Sequence, residues 1–322
     1  MPDPRRSCLN CSHLRHSLCF ICELCETCCA CWHCLDCENY HPATLRKCRE
    51  CYKCYKTCVC IIKAWNFDPL LLLAFHGHPE DGIFLGIEIE VEAKEGEENK
   101  KAEAVLASDP SFFVIKHDGS LRNGFEIVTA PGSLSVHKDK LRKLLQGKAV
   151  RGLSSWNTGT CGLHVHISRA PLSPLTIAKV VKFINSSRTR HNITSLAGRK
   201  TAHGLYRAQD YARLAVKEWY DVGKRSVKYN KEEYLCSHSF RYQAVNLTNE
   251  HTIEIRIFRG TLSYDHIMAN LEFCDAVVRW AMNVSARETE NWSSLWSFAK
   301  ENSKRYSHFL AFMRKKHLVN CD

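Results

Sequence analysis

At 322 residues the chain has room for one mid-sized domain and a smaller unit. Its 45% hydrophobic and 25% charged residues are ordinary for a soluble globular protein. The most apolar stretch, Pro69 to Phe75, falls far short of the roughly 20 residues of a helical membrane span, so no membrane partner is expected. The formal net charge of +11 favours acidic partners such as nucleotides, phosphorylated intermediates or nucleic acid, without choosing among them.

Cysteine divides the chain. Fifteen of nineteen lie between Cys8 and Cys60, and only Cys161, Cys236, Cys274 and Cys321 follow. The composition predicts a Cys-rich module over residues 1–62, a linker over 63–81 and a second domain over 82–322. After Met1-Pro2-Asp3-Pro4-Arg5-Arg6 come cysteines and polar residues where an export signal needs an apolar run. The expected compartment is therefore the cytoplasm, where thiols stay reduced and clustered cysteines hold metal.

In the first segment C-x-x-C recurs almost without pause. Cys8, Cys11, Cys19, Cys22, Cys25, Cys28, Cys31, Cys34, Cys37, Cys48, Cys51, Cys54, Cys58 and Cys60 are candidate zinc ligands, with His13, His16, His33 and His41 among them. Two cysteines three apart on a tight turn reach one tetrahedral ion, and two such pairs complete a site. The pairs overlap, so the grouping is undecidable from sequence. Large aliphatic residues are few, so structural Zn²⁺ would have to supply the folding free energy, on the order of 10 kcal/mol per ion. A disulfide knot in a secreted chain and an iron–sulfur cluster are the competing readings. A macromolecular partner, whether DNA, RNA or protein, fits such a module. In the linker, Asp68-Pro69 and His78-Pro79 punctuate the chain, and Leu70–Leu73 is expected to pack on the following domain.

From Gly82 the pattern changes. Ile83 to Glu92 alternates apolar and acidic residues, the period of a half-buried strand. It sets Glu88, Glu90 and Glu92 on one face, roughly 7 Å apart in steps of two residues. Such like charges repel unless a solvated face tolerates them or a cation sits among them. The charge-dense run from Glu92 to Glu103 reads as a solvated loop or helix entry. Phe112 to Leu121 is a strand turning at Asp118-Gly119, and Gly124 to Thr129 is its partner. This places Asp118 and Glu126 at the rim and floor of one hairpin. Cys161 to Ser168 is another strand, with His164 and His166 sharing a face. Helices are expected over Pro174 to Ser187, Arg207 to Trp219, His266 to Ala281 and the basic-ended tail from Trp292 to Leu318. Tyr242 to Leu247 and Thr252 to Gly260 are strands, with Glu254 and Arg256 pointing the same way and Arg259 at the strand end.

The inward-facing candidates are Glu88, Glu90, Asp118, Glu126, His164, His166, Glu254, Arg256 and Arg259. An oxygen-rich set with one or two imidazoles suits Mg²⁺ or Mn²⁺ better than structural zinc. Two such ions neutralise phosphate oxygens, and arginines clamp a transferring phosphoryl group.

Several blocks resemble the amidoligase family, carboxylate–amine ligases related to glutamate–cysteine ligase and glutamine synthetase. They are Gly86-Ile87-Glu88-Ile89-Glu90, Lys116-His117-Asp118-Gly119-Ser120, Phe125 to Thr129, Gly162 to His166, Val245-Asn246-Leu247 and Thr252 to Leu262. They stand in family order over residues 82–285; the Cys-rich module lies outside them. The resemblance implies an α+β fold, a curved and mostly antiparallel sheet with helices on its outer side and the active site in the funnel. It implies that ATP phosphorylates a carboxylate and that an amine attacks the acyl phosphate, giving an amide, ADP and phosphate. By the same analogy Glu88, Glu90, Asp118, Glu126, His164 and Glu254 would bind Mg²⁺ or Mn²⁺, and Arg256 would contact the phosphoryl group. Lys116, His166, Arg241 and Arg259 would contact nucleotide or substrate. The amine could be an amino acid, a peptide, a polyamine or a protein side chain. A metal-dependent nuclease or hydrolase and a non-catalytic zinc-containing binding protein on a ligase-like fold are the alternatives.

Overall fold

The computed structural model describes residues 82–199 and 243–316, with 60, 62–63, 74–77 and 212 and the backbone of four short strands within the first 41 residues. The chain forms two compact units, 1–68 and 69–322. In the first, Arg6–Ser7 pairs antiparallel with Leu14–Arg15, and Trp32–Cys34 with Asn39–His41. Apart from Cys60 and the backbone of Cys34, the expected zinc ligands lie outside the described residues.

The second unit is α+β. Among the described residues its strands are β1 (Leu85–Glu92), β2 (Phe113–Lys116), β3 (Gly124–Thr129), β4 (Gly162–Ser168), β5 (Val245–Asn246) and β6 (Thr252–Arg259). Within this unit they lie side by side in the order β5-β6-β4-β1-β3-β2, and every neighbouring pair is antiparallel. Alternation along β1 buries Leu85, Ile87, Ile89 and Val91 on one face and sets Glu88, Glu90 and Glu92 on the other. Leu163, Val165 and Ile167 of β4 and Phe125 and Ile127 of β3 extend the apolar face.

Helices cover that face. Among the described residues they are α1 (Glu98–Ser108), α2 (Leu134–Leu145), α3 (Pro174–Asn185), α4 (Arg190–Ala197), α5 (Tyr264–Asn283), α6 (Trp292–Glu301) and α7 (Ser307–Lys315). α5, the most buried, packs on β4 and is flanked by α2, α3, α6 and α7. Its Phe273 ring meets Phe258 of β6 edge-on at 6.3 Å. Serines start two of the helices. Ser133 Oγ accepts from Val136 N at the head of α2, and Ser173 Oγ accepts from Thr176 N at the head of α3, where Pro174 follows the cap. No helix among the described residues is long and apolar enough to cross a membrane.

Several elements depart from the sequence reading. α2 and α4 are additional helices. The tail is not one helix: Asn302 leaves helical geometry, and Arg305 and Tyr306 turn back to donate to Asp275 of α5, so α6 and α7 are separate. The strand expected over Tyr242 to Leu247 is reduced to Val245–Asn246, and Tyr242 lies outside the described residues. So does almost all of the helix expected over Arg207 to Trp219, and Leu70–Leu73 likewise.

Candidate active site

The polar face of the sheet collects the acidic and histidine side chains by register. Glu88 of β1 pairs with His164 of β4 on one side, and Glu90 pairs with Glu126 of β3 on the other. His166 pairs with Glu254 of β6, and Lys116 of β2 pairs with Glu126. Paired residues on neighbouring strands point the same way, so five strands deliver to one surface.

Arg259 reaches that face through an irregularity. Ile255 pairs with Val165 and Phe258 with Leu163, so β6 carries one extra residue between them. Parity alone would set Arg259 opposite Glu254 and Arg256. The bulge returns it to their face, where it pairs with Gly162.

His164 is the hub. Its Nδ1 lies 3.2 Å from Glu88 Oε2 and 3.6 Å from Glu254 Oε1, and its Nε2 lies 3.7 Å from Glu90 Oε1. Glu254 also accepts from Asn246 Nδ2 at 2.7 Å and pairs with Arg256. Glu90 accepts from the backbone N–H of Gly162. Asp118 accepts from Ser120 N at 2.6 Å, which fixes its turn, and is hydrogen-bonded to Glu126. Asp118 is thus both a turn residue and part of the site. His166 Nδ1 meets Thr252 Oγ1 at 3.2 Å. Its Nε2 is buried, 3.4 Å from Glu88 Oε1 and without a hydrogen bond among the described residues.

Burial sets up an electrostatic conflict. Glu90, Glu126 and Glu254 are only 5%, 6% and 4% exposed, so their charges repel with little solvent screening. Burial pushes Glu126 well above the ordinary carboxylate range, helped by the charges of Glu88 and Asp118 and opposed by Lys116. Burial also raises Glu90 against the pull of His164 and the Gly162 N–H. For Glu88 burial works upward but loses. The charge of His166, the hydrogen bond from His164 and the charge of Lys116 hold it well below its usual value.

The donor set fits divalent cations. Glu88, His164 and Glu254 form one group and Glu90, Asp118 and Glu126 a second, each with one ligand atom per residue within 4.8 Å of the others. Five carboxylates and one imidazole are the chemistry of Mg²⁺ or Mn²⁺ rather than of a thiolate zinc site. A cation among buried carboxylates would relieve the repulsion that now displaces their proton affinities. His166 stands outside both groups, with its buried Nε2 turned to Glu88 Oε1 on the same face.

Arg199 was not visible as a site residue. Its Nε and Nη2 donate to Phe258 O at 2.9 and 2.7 Å, and its charge acts on Glu90. No spacing in the sequence marks it; it follows Gly198, whose left-handed backbone ends α4. Trp156, whose ring lies under the Arg259 guanidinium at 4.2 Å, was equally hidden in a loop. Arg241 lies outside the described residues.

No curated protein matches the sequence. A family described as "Putative amidoligase enzyme" matches residues 88–278, more than half of the chain and a span that holds both carboxylate groups. The chain belongs to this amidoligase family.

Proposed function

We propose that the chain is an ATP-dependent ligase joining a carboxylate to an amine as an amide, with ADP and phosphate as co-products. The observation that carries this reading is the two groups of acidic and histidine ligands on one sheet face, beside Lys116, Arg256 and Arg259. Such a face is built to hold two anions together, which is the main difficulty in phosphorylating a carboxylate.

In the first step a carboxylate oxygen of the substrate attacks the γ-phosphorus, and the bond to ADP breaks. In the second the amine nitrogen attacks the acyl carbon, and phosphate leaves with the oxygen that bridged carbon and phosphorus. The nitrogen loses its proton. Magnesium or manganese, when bound, supplies the charge neutralisation that phosphoryl transfer needs. Glu88, Glu90, Asp118, Glu126, His164 and Glu254 are assigned to holding those ions. Arg256, oriented by its pair with Glu254, is assigned to the transferring phosphoryl group. Lys116, His166, Arg259 and Arg241 are assigned to nucleotide or substrate. No protein nucleophile is used: burial pushes the Cys161 thiol up to about 11, so it stays protonated at neutral pH.

The Cys-rich module is assigned structural zinc and a macromolecular partner, with a peptide or protein as amine acceptor. Metal analysis of the purified chain tests the first, and acceptor use by a chain beginning at Gly82 tests the second. The reaction itself is tested by ADP release. ADP and phosphate should form in equal amounts and only with both a carboxylate and an amine present. Hydrolysis of nucleic acid with no ATP turnover would instead support a nuclease.

A further inference from the structure

Of the glutamates that share the polar face of β1, Glu92 is the one that neither ligand group contains. It is half-buried and bonded to one loop. Its backbone pairs with Ser154 in both directions, Glu92 N donating to Ser154 O and Ser154 N to Glu92 O, each at 2.8 Å. Its side chain reaches the other end of the same loop, where Thr160 Oγ1 donates to Glu92 Oε1 at 2.7 Å. One residue therefore clasps the loop 154–160 at both ends.

The loop is tied to itself and to the site. Thr158 Oγ1 donates to Ser155 O at 2.8 Å and accepts from Cys161 N at 3.1 Å. Ser155 Oγ donates to Glu90 O at 2.8 Å. Gly260, just past β6, closes the other side. Its N–H donates to Cys161 O at 3.2 Å, and a Cβ there would lie 2.5 Å from Ser155 Oγ and 2.9 Å from Cys161 Cβ. Two contacts to site residues issue from this loop. Trp156 O accepts from Arg259 Nε at 2.8 Å. Gly162 N–H, which follows Thr160 closely, donates to Glu90 Oε2. The β1–β4 ladder ends at Ile89 and Leu163, so Gly162 lies just past its last rung. Beyond that rung the Thr160 bond keeps the chain beside β1.

We infer that Glu92 is a positioning residue: by holding Thr160 it aims the Gly162 N–H at Glu90 and so fixes how Glu90 is presented to the group it forms with Asp118 and Glu126. The inference rests on the divalent-cation reading of that group and adds a residue that holds no ion itself. Without the Thr160 bond the loop stays fastened at Ser154 and Ser155, but its far end is released from β1. The Gly162 N–H then loses its fixed direction, and Glu90 loses the donor that orients its carboxylate. A ligand free to turn holds a cation less well. The bond to Thr160 needs an acceptor, not a charge, and a glutamine carbonyl supplies one. That difference separates holding the loop from a long-range effect of the carboxylate charge.

The test is Mn²⁺ binding to the full chain by calorimetry, with amide exchange at Gly162 followed by NMR in the metal-free protein. Mn²⁺ prefers oxygen to thiolate, so the Cys-rich module does not compete for it. Glu92→Ala, and Thr160→Val from the loop side, should each weaken one Mn²⁺ site about tenfold or more, the scale of removing a partner that orients a metal ligand, and leave the other within about twofold. Both should speed Gly162 exchange about tenfold, the size of one lost hydrogen bond. The double variant should be no weaker than either single one, because both remove the same bond. Glu92→Gln should bind Mn²⁺ within about twofold of the parent. Unchanged Mn²⁺ affinity or unchanged Gly162 exchange in both single variants would overturn the positioning role while the divalent-cation reading stands. A Glu92→Gln as weak as Glu92→Ala would overturn it too, since charge would then be the cause. If the unaltered protein binds no Mn²⁺, the divalent-cation reading fails and the positioning role with it.

Discussion

Glu88 and His164 face one another across β1 and β4, with His164 Nδ1 3.2 Å from Glu88 Oε2. The same carboxylate reaches toward His166 with its other oxygen at 3.4 Å, so both of its oxygens are engaged on the site face. Glu88→Gln keeps the side chain's size and removes the charge. ADP release should fall by about 100-fold or more, the scale of losing one charge-stabilising group. The thermal unfolding midpoint should stay close to that of the parent, because the change also removes like-charge repulsion with Glu126. Persistent turnover would show that Glu88 holds no catalytic ion.

Gly162 sits where the site has no room. A Cβ there would come within 2.6 Å of Arg199 Nη2, 3.2 Å of His164 Nε2 and 3.3 Å of Glu90 Oε2. All three are side-chain ends, so Gly162→Ala is expected to fold at a cost of about 1–3 kcal/mol while displacing the ligands. Gly124→Ala is a different case. Its Cβ would fall 2.1 Å from the Val91 backbone oxygen, which cannot yield without separating β3 from β1. Denaturant melts and ADP release on both variants check the contrast: a folded, impaired Gly162→Ala and a Gly124→Ala that loses the sheet.

Away from the site, Asp275 anchors the C-terminal helices. Its buried carboxylate accepts from Arg279 Nε at 3.0 Å, Arg305 Nε at 2.7 Å and Tyr306 Oη at 2.9 Å. Asp275→Asn should destabilise the second unit by about 3 kcal/mol, the low end for breaking a buried pair, because both arginines keep a path to water. Urea titration measures the loss. Turnover per folded molecule at low temperature should not change, since no site side chain touches this network among the described residues.

His137 gives the fold a defined pH dependence. Ser133 O can only accept, so Nδ1–H of His137 donates to it at 3.1 Å, and Nε2 takes the Thr129 hydroxyl at 3.1 Å. The Thr129 oxygen accepts in turn from Ile87 N at 3.0 Å, tying the imidazole to β1. Burial, opposed by its backbone hydrogen bonds, lowers this histidine to about 4 from 6.5. Because the folded value is the lower one, the unfolded chain binds the proton first. The contribution is intact above pH 6.5 and is lost as pH falls toward 4, about 3 kcal/mol in all. Thermal midpoints at pH 7 and 5 should differ more for the parent than for His137→Leu, which is less stable but lacks this proton linkage.

The strand-borne part of the site was legible because it is written in period two. Glu88 and Glu90, His164 and His166, and Glu254 and Arg256 each share a face in any regular strand, so their convergence needed only the pairing of strands. Arg259 breaks that rule. Its face depends on the bulge after Ile255, which no pattern in Thr252 to Arg259 announces. α2 was unread because charged residues interrupt its apolar positions, although Ser133 stands in front of it as a cap. Arg199 and Trp156 come from loops whose place is set by tertiary contacts with β6, and local sequence holds no record of those.

The central claim is that the sheet face transfers phosphate to a carboxylate before an amide forms. The most direct measurement uses carboxylates enriched in heavy oxygen, supplied as an amino-acid mixture with unlabelled amines and Mg·ATP, and reads the released phosphate by mass spectrometry. If an acyl phosphate forms, the phosphate carries one heavy oxygen taken from the carboxylate. Phosphate released without label would mean that ATP is hydrolysed by water or not coupled to the carboxylate, and would contradict the ligase reading.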